Sequence, residues 1–360
     1  MEIKMNEIPE NELKLKPKND GELGFGTIFT DHMFQMRWSA ETGEWNSAQI
    51  KKYEPFLISP AAIVLHYGIE IFEGLKAYHT ENGDIQLFRP QKNIERLNNS
   101  AERMVMPKVD PEFILGAIKK LVRLEKEWVP HTFGTSLYIR PTMIGIDEFI
   151  GVHPAEDVLF YIILSPVGAY YATGFAPVDI LVESEYIRAA PGGTGAAKTG
   201  GNYAASLLAA EEAKKKGYTQ VLWLDAKERK YVEEVGTMNM MFVMDDEVVT
   251  SPLTGSILPG VTRDSVIQIL KDWDIKVSER MITINEVIEA AKSGKLKEAF
   301  GTGTAAVITP VGCLNYKDND YIIGGNKDKV GELTQKLYDY LTSIQYGKKE
   351  DPYGWIVKID

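Results

Sequence analysis

Lys198 lies in a loop of small residues, and this setting favours chemistry at its amine. Residues 191 to 201 read PGGTGAAKTGG, so little side-chain bulk surrounds the lysine and a flat ligand can approach it closely. Burial and nearby positive charge lower the pKa of a lysine, and its neutral amine then condenses with an aldehyde. Lys198 is therefore a candidate nucleophile. The alternative is a solvated loop lysine, since most lysines are exposed.

The same loop also resembles the phosphate-binding loop of nucleotide hydrolases. It lies between a predicted strand and a predicted helix, and VLWLDAKE at 221 to 228 is typical of an apolar strand that ends in an acidic residue. However, a P-loop needs glycine directly before its lysine, where this chain has Ala197. Eight residues also separate the predicted strand end near Glu183 from Gly192. We therefore disfavour a P-loop nucleotide hydrolase, which is the alternative from a different class.

Length and composition narrow the class of protein. The 360 residues are enough for two domains with hydrophobic cores. The 40 Lys and Arg residues against 51 Asp and Glu residues give a net charge of −11, which argues against a nucleic-acid partner but permits a local cationic pocket. The one cysteine, Cys313, excludes an internal disulfide and a CxxC zinc or redox centre. We predict no metal site.

The sequence predicts neither a secretory signal nor a membrane span. Residues 1 to 20 carry charges throughout and lack an apolar core. The uncharged stretch 158–178 approaches transmembrane length, but prolines and glycines interrupt it beyond residue 164. We interpret it as a buried strand followed by a loop, and we expect a cytoplasmic protein with no membrane partner.

Strand-like and helical patterns along the chain predict two α+β domains. Strands are predicted at 27–38, 136–145, 158–164, 178–184, 219–225 and 239–244. Helices are predicted around 94–104, from Pro111 to Trp128 with Asp110 as N-cap, at 202–216, from near 261, at 284–292 and at 328–345. The interdomain connection is placed at 171–177, which gives domains at 1–170 and 178–360. Ligands often bind in a cleft between two domains.

Segments along nearly the whole chain resemble, in order, those of the branched-chain amino acid aminotransferases, which are fold-type IV enzymes that use pyridoxal 5′-phosphate. KTGGNYAAS at 198–206 resembles their active-site segment, and EEVGTMNMMFV at 233–243 resembles a second family signature. The other similar segments are FGTIFTDHM at 25–33, LHYGIEIFEGLKAY at 65–78, LFRPQKNIERLN at 87–98, SLYIRP at 136–141, SPVGAY at 165–170, GSILPGVTRDS at 255–265 and GTGTAAVITPV at 301–311.

The resemblance implies a fold and a cofactor site. The expected fold is α+β, with a smaller N-terminal α/β domain, a larger C-terminal domain that has a barrel-like sheet and carries the Schiff-base Lys198, and pyridoxal phosphate in the interdomain cleft. Glu234 is the implied partner of the cofactor's ring nitrogen. Glu233 is the competing choice, because neighbouring strand residues point to opposite faces. The other implied cofactor contacts are Tyr203 at the phenolic oxygen, and Arg96, Val261, Thr262 and Thr304 at the phosphate.

The resemblance also implies a substrate site. Thr237 and Ala305 match the positions beside the substrate's α-carboxylate, with Ala305 acting through its backbone N–H. The aromatic residues that match the pocket for a branched side chain are Phe25, Tyr67, Phe72, Tyr138 and Tyr170. Arg140 resembles the arginine that accepts the distal carboxylate of glutamate. An arginine within an apolar strand rarely lacks a partner, which supports this role independently.

The expected activity is ping-pong transamination between Leu, Ile or Val and 2-oxoglutarate, which yields branched 2-oxo acids and glutamate. Within fold type IV the alternatives are D-amino acid aminotransferase and aminodeoxychorismate lyase. Both are usually shorter and lack the N-terminal extension and the SLYIRP context. Family sites are completed by a neighbouring subunit, so at least a homodimer is expected.

Overall fold

The computed structural model describes residues 1–6, 8–168 and 174–359. The chain divides into two compact units, and both run through more than one part of the sequence. Unit 1 comprises Met1–Tyr170, Ala197–Gly200 and Ser343–Asp360, and unit 2 comprises Tyr171–Ala196 and Gly201–Thr342. The sequence predicted one division at 171–177 and placed Lys198 in the second domain. In this division Lys198 belongs to unit 1, which also contains more residues than unit 2, the reverse of the predicted sizes.

Unit 1 is built on one mixed sheet. Its strands are β1 (Lys4–Met5), β2 (His32–Ser39), β3 (Glu44–Lys52), β4 (Glu70–Phe72), β5 (Leu75–His79), β6 (Ile85–Phe88), β7 (Ser136–Gly145), β8 (Asp157–Val167) and, from the far end of the chain, β18 (Ile356–Ile359). The order is β1-β3-β2-β8-β7-β5-β6-β18, and β4 pairs with β7. The helices are α1 (Ile63–Tyr67), α2 (Pro90–Arg103) and α3 (Pro111–Leu124). Apolar residues of α2 and α3 share one buried core with the sheet.

Unit 2 contains a closed ring of strands. Its strands are β9 (Val178–Val182), β10 (Gln220–Leu224), β11 (Val232–Val235), β12 (Met238–Val243), β13 (Val248–Thr250), β14 (Val277–Glu279), β15 (Glu298–Gly303), β16 (Val307–Tyr316) and β17 (Asn319–Ile322). The path β11-β10-β9-β16-β15-β12 closes because β12 also pairs with β11. The predicted barrel-like sheet is thereby confirmed. The helices are α4 (Gly200–Ala204), α5 (Leu207–Lys215), α6 (Val261–Asp272), α7 (Ile284–Lys292) and α8 (Glu332–Gln345), of which α4 and α8 each cross a boundary between the units.

Most predicted elements are present, with three informative differences. The strand predicted at 27–38 begins only at His32, because the carbonyls of Phe29 and Thr30 accept hydrogen bonds from the Lys14 ammonium instead of from a neighbouring strand. The helix predicted at 202–216 is broken into α4 and α5, since the Ser206 hydroxyl donates to the Tyr203 carbonyl at 2.7 Å. The C-terminal tail forms β18, which was not predicted.

Asp110 caps α3 as predicted. Its carboxylate accepts from the backbone N–H groups of Glu112 at 3.0 Å and Phe113 at 3.4 Å. The uncharged stretch near 158 forms the buried strand β8, as expected. Among the described residues, no helix combines the length and the apolar character needed to cross a bilayer.

Candidate active site

The predicted site residues fall into two groups, one in each unit. Unit 1 contains Phe25, Tyr67, Phe72, Arg96, Tyr138, Arg140 and Lys198. Unit 2 contains Tyr203, Glu234, Thr237, Val261, Thr262, Thr304 and Ala305. Tyr170 lies outside the described residues, as does part of the predicted interdomain connection.

The backbone around Lys198 is fixed by hydrogen bonds to β4 and α2. Its N–H donates to the Ser100 hydroxyl at 2.9 Å, and its carbonyl accepts from the Phe72 N–H at 2.9 Å. The next residue, Thr199, donates its hydroxyl to the Glu70 carbonyl at 2.7 Å. These contacts hold a glycine-rich segment in one position, although its sequence alone would favour a flexible loop.

The amine of Lys198 is desolvated and lies among aromatic and charged side chains. Its nitrogen lies 4.9 Å from the centre of the Phe72 ring. Burial lowers the pKa of Lys198 to about 8, and the positive charges of Arg96 and Arg140 act in the same direction, while Glu73 and Tyr138 oppose it. By exposed surface the residue as a whole is only half-buried, so this lowering reflects the protein atoms crowded around the ammonium group. Burial and nearby positive charge, the two causes expected from the sequence, thus both lower the pKa of Lys198.

A buried ion pair lies next to this amine. Arg96 contacts Glu73 through two hydrogen bonds, Nε to Oε1 at 2.7 Å and Nη2 to Oε2 at 2.9 Å, and the two side chains are 7% and 1% exposed. Glu73 also accepts from the Asn93 amide at 2.9 Å. Burial alone would raise the pKa of Glu73, but Arg96, Lys198 and Asn93 bring it below its usual value. Glu73 therefore remains ionised and holds the Arg96 guanidinium in a fixed orientation.

Arg140 lies against two of the predicted pocket aromatics. Its guanidinium is 4.7 Å from the Phe72 ring centre and 5.2 Å from that of Tyr138, and Nη2 donates to the Tyr138 hydroxyl at 3.2 Å. The Tyr138 ring in turn makes an edge contact with Phe25 at 5.0 Å. The buried Nε atom of Arg140 has no hydrogen-bond partner among the described residues. An unsatisfied buried donor on a cation is suited to an anionic ligand.

Gly74 lets Tyr138 approach the turn between β4 and β5. A Cβ atom at this position would lie 1.9 Å from the Tyr138 hydroxyl oxygen. Only glycine leaves this space, so Gly74 is required for Tyr138 to pack against this turn.

Tyr67 is separate from this cluster. It ends α1, is 38% exposed, and its ring centre lies 6.2 Å from that of His66. The described contacts of unit 1 do not bring it to Lys198. Phe25, Phe72, Tyr138, Arg96, Arg140 and Lys198 are brought together.

In unit 2, Glu234 on β11 is the centre of the second group. It is 2% exposed, and its Oε2 forms an ion pair with Nε of Arg188 at 2.8 Å. Its Oε1 accepts from the Leu258 N–H at 2.8 Å and from the Asn239 amide at 3.4 Å. Asn239 faces Glu234 across the β11–β12 pair and also binds the Leu258 carbonyl at 2.9 Å. The negative charge of the buried Glu234 carboxylate is thus balanced by the Arg188 guanidinium.

The segment held by Glu234 and Asn239 leads directly into α6. Gly260 precedes the helix, and a Cβ atom there would lie 2.0 Å from the Asn239 amide oxygen. Val261 and Thr262 are buried in the first turn, where backbone N–H groups and the helix dipole favour an anion. The segment 258–262 therefore connects the contacts of Glu234, which is predicted to bind the ring nitrogen, with Val261 and Thr262, which are predicted to bind the phosphate.

The remaining predicted residues of unit 2 lie on turns or on α4. Thr304 and Ala305 form the turn between β15 and β16 and are half-buried, and Thr237, between β11 and β12, is exposed. The turn ends at Val307, whose φ of +62° is costly for a β-branched residue. Tyr203 is half-buried on α4.

Glu73, Arg188, Asn239 and Ser100 were not predicted as site residues. Each is a buried polar residue. Charge within an apolar run is the signal that could have marked Glu73, which lies in the IFEGL sequence at 71–75. The partners of Glu73, Arg188 and Ser100 lie 23 or more residues away in sequence, so these pairings were not predictable.

Comparison with known proteins identifies the class of enzyme. Residues 70–312 match the family of class IV amino-transferases. The chain is 53% identical to branched-chain-amino-acid aminotransferase 2 of Bacillus subtilis (strain 168), over 96% of this chain and 94% of that protein. It is 51% identical to branched-chain-amino-acid transaminase 1 of the same organism, over 99% of this chain and 100% of that protein. The chain therefore belongs to the branched-chain amino acid aminotransferase family.

Solved structures agree with this assignment. The branched-chain amino acid aminotransferase of Escherichia coli matches with a TM-score of 0.76 and 29% identity, over 92% of this chain and 99% of that one. The T.th. branched-chain amino acid aminotransferase with pyridoxamine 5′-phosphate matches with a TM-score of 0.75 and 29% identity, over 90% of this chain and 98% of that one. The expected fold type IV, the pyridoxal phosphate cofactor and the aminotransferase activity are confirmed, whereas the P-loop alternative finds no support.

Each unit contains groups whose chemistry fits pyridoxal phosphate. In unit 1 the desolvated Lys198 amine is suited to an aldehyde, and in unit 2 the buried Glu234 carboxylate is suited to a protonated ring nitrogen and the start of α6 to a phosphate. The space kept open at Gly260 permits close approach to the backbone before α6.

The lowered pKa of Lys198 predicts the pH dependence of its amine in the cofactor-free protein. Reactivity toward an acylating reagent should rise with a midpoint at about pH 8, because the pKa of the amine is lowered to about 8. Competitive labelling followed by peptide mass spectrometry measures this midpoint. Lys292, whose pKa is raised by its hydrogen bond to Glu289, is the control within the same sample. Equal midpoints for both lysines would contradict the prediction.

Removing one partner of the buried Glu73–Arg96 pair should destabilise the protein strongly. We expect Glu73→Gln to lower the free energy of unfolding by about 3–5 kcal/mol, because Arg96 loses its buried counter-charge. The matched control is Glu95→Gln, which breaks the exposed pair with Lys92 and should cost at most about 1 kcal/mol. Chemical denaturation of both variants gives the difference, and equal losses would refute the structural role of the pair.

Proposed function

We propose that this protein uses pyridoxal phosphate to transfer amino groups between Leu, Ile or Val and 2-oxoglutarate, and that the site residues predicted from its sequence bind the cofactor and the substrates. The observation that carries the proposal is the desolvated Lys198 amine beside an apolar aromatic cluster that also contains a cation. Similarity to relatives named branched-chain aminotransferases supports the substrate class.

Bound pyridoxal phosphate supplies an electron sink that makes the α-proton of an attached amino acid acidic. In this proposal Lys198 moves that proton, because an amine with a pKa near 8 is neutral often enough at neutral pH to accept it and is then protonated to return it. Glu234 holds the positive charge of the ring nitrogen in place, and Arg188 is the ion-pair partner of Glu234. Tyr203 binds the phenolic oxygen.

We propose that the cofactor phosphate is bound by three kinds of group: a cation, the start of a helix and a hydroxyl. Arg96 contributes the cation, already oriented by Glu73. Val261 and Thr262 contribute the start of α6, and Thr304 contributes a turn hydroxyl. Fixed donors of this kind need no reorganisation when the anion binds, which favours tight retention of the cofactor.

The substrate side combines an apolar pocket with one cation. Phe25, Phe72 and Tyr138 bury a branched side chain, which is worth roughly 1.5–3 kcal/mol. Arg140 binds the distal carboxylate of glutamate or 2-oxoglutarate by donating from its Nε atom, which has no hydrogen-bond partner in the described part of the chain. Thr237 and the backbone N–H of Ala305 are proposed to bind the α-carboxylate, and Tyr67 and Tyr170 are proposed to complete the pocket.

We further propose that the protein is a homodimer in the cytoplasm. Tyr67 and Leu65 on α1 are exposed, and so are Phe149, Ile150 and Val152. These two segments are adjacent, because the Ile63 N–H donates to the Asp147 carbonyl at 3.0 Å. Exposed apolar residues clustered in this way are typical of an interface, and a second subunit covering them would explain why Tyr67 is apart from the Lys198 cluster.

The central test is the Lys198→Ala variant. The wild-type protein with pyridoxal phosphate should show the visible absorbance band of a covalently held cofactor and should lose it on addition of L-leucine. Lys198→Ala should show neither the band nor measurable transamination, because it lacks the amine. A variant that still transaminates would overturn the assignment, and wild-type activity on D-alanine but not L-leucine would favour the D-amino acid aminotransferase alternative.

Substitution of Arg140 should affect transamination of glutamate much more than that of leucine. We expect Arg140→Met to lower kcat/KM for glutamate roughly 10- to 100-fold, which corresponds to the loss of charge-assisted hydrogen bonds, and to leave leucine within about threefold. Single-turnover absorbance changes with each amino acid measure the two half-reactions. Arg123→Met, at an exposed position on α3, is the matched control and should alter neither. An equal loss for both substrates would contradict the proposed role.

A further inference from the structure

Glu233 is a buried carboxyl for which the proposed mechanism has no use. It lies on β11 one residue before Glu234 and is 6% exposed. Neighbouring residues of a strand point to opposite faces, so the two carboxyls lie on different sides of β11. Buried carboxyls are rare unless they have partners, and the contacts of Glu233 therefore indicate what it does.

The Glu233 carboxyl is held through one oxygen. The Ser256 hydroxyl donates a hydrogen bond to Oε1, while Oε2 is buried and has no hydrogen-bond partner among the described residues. Burial raises the pKa of Glu233, against the effects of Ser256 and Arg188 and together with that of Asp225. The link to Ser256 is thus the specific contact of this side chain.

Ser256 belongs to the segment that fixes Glu234. Its backbone carbonyl accepts from Nη1 of Arg188 at 2.9 Å, and Arg188 forms the ion pair with Glu234. Two residues later, the Leu258 N–H donates to the other oxygen of Glu234. A shift of Ser256 would therefore disturb both oxygens of the Glu234 carboxylate.

The position of Ser256 is also limited by the glycine-rich loop. A Cβ atom at Gly195 would lie 2.3 Å from the Ser256 carbonyl oxygen, so the two backbones are in close contact. Side-chain packing cannot hold Ser256 on that side, because glycine has none. The Ser256 hydroxyl also lies 3.3 Å from that of Thr254, but Thr254 belongs to the same short segment and cannot fix it to the barrel. The bond to Glu233 on β11 is therefore the contact that anchors the Ser256 side chain to the barrel.

We propose that Glu233 is a positioning residue for the cofactor's ring-nitrogen carboxylate: it anchors Ser256, which orients Arg188 and, with Leu258, fixes Glu234. The inference rests on the proposed role of Glu234. Glu233 then supports Glu234 through Ser256 and does not contact the cofactor ring itself; this supporting role is called the brace below. Because a glutamine side chain keeps an oxygen that can accept from the Ser256 hydroxyl, Glu233→Gln should preserve the brace.

The test compares holoenzyme variants by a spectroscopic property as well as by rate. In Glu233→Ala and Ser256→Ala, the pH titration of the bound cofactor's visible absorbance should move to higher pH, in the same direction as in Glu234→Gln. A loosened Glu234 leaves less positive charge on the ring, and the cofactor's titrating nitrogen then holds its proton more tightly. We expect kcat for leucine to fall roughly 10- to 100-fold with KM within about twofold. Glu233→Gln should restore both properties.

Controls separate the possible outcomes. Glu228→Ala, at an exposed position, should match the wild type. If Glu233→Ala does not fold, Ser256→Ala tests the same bond by removing only a hydroxyl. The proposed role of Glu233 is overturned if the absorbance titration of Ser256→Ala matches that of the wild type. It is also overturned if Glu233→Gln loses as much activity as Glu233→Ala. If Glu234→Gln itself leaves the titration unchanged, the proposed role of Glu234 fails and the brace fails with it. A shift in Glu234→Gln alone overturns only the inference about Glu233.

Discussion

Removing a charged group from water costs free energy of desolvation. In both groups of site residues, each buried carboxylate has an arginine partner that offsets this cost. In unit 1 the charge of Glu73 is met by Arg96, and in unit 2 the charge of Glu234 is met by Arg188. A buried ion pair gains little stability over apolar packing, since desolvation offsets most of the attraction. Such pairs do hold charged atoms in fixed positions before a ligand arrives. Electrostatic preorganisation of this kind is what acid–base chemistry on a charged cofactor needs.

Local patterns in the sequence predicted many elements, because those patterns depend on neighbouring residues. Strand β7 has the predicted bounds, and Asp110 and Pro111 begin α3 as expected. Closure of the barrel depends on the pairing of β11 with β12 and of β9 with β16, and β16 is more than a hundred residues beyond β9 in sequence. No local pattern encodes that register. Only the resemblance to a family predicted the barrel.

The candidate site was predictable in two ways. The loop of small residues already marked Lys198, the family segments added Arg140 and Glu234, and the surroundings of all three suit the predicted roles. Their supporting residues were not found. Ser100 and Ser256 act through a hydroxyl and a backbone group, and serine is too common on protein surfaces for its type alone to indicate such a contact.

The last strand of unit 1, β18, pairs with β6 although more than 260 residues separate them in sequence. During synthesis on the ribosome, β6 therefore has an open edge on that side until residues 356–359 have emerged, whereas all strands of the barrel have emerged by residue 322. Open edges promote association with other chains. The time between the synthesis of β6 and that of β18 is thus the interval in which this sheet edge is open to pairing with other chains.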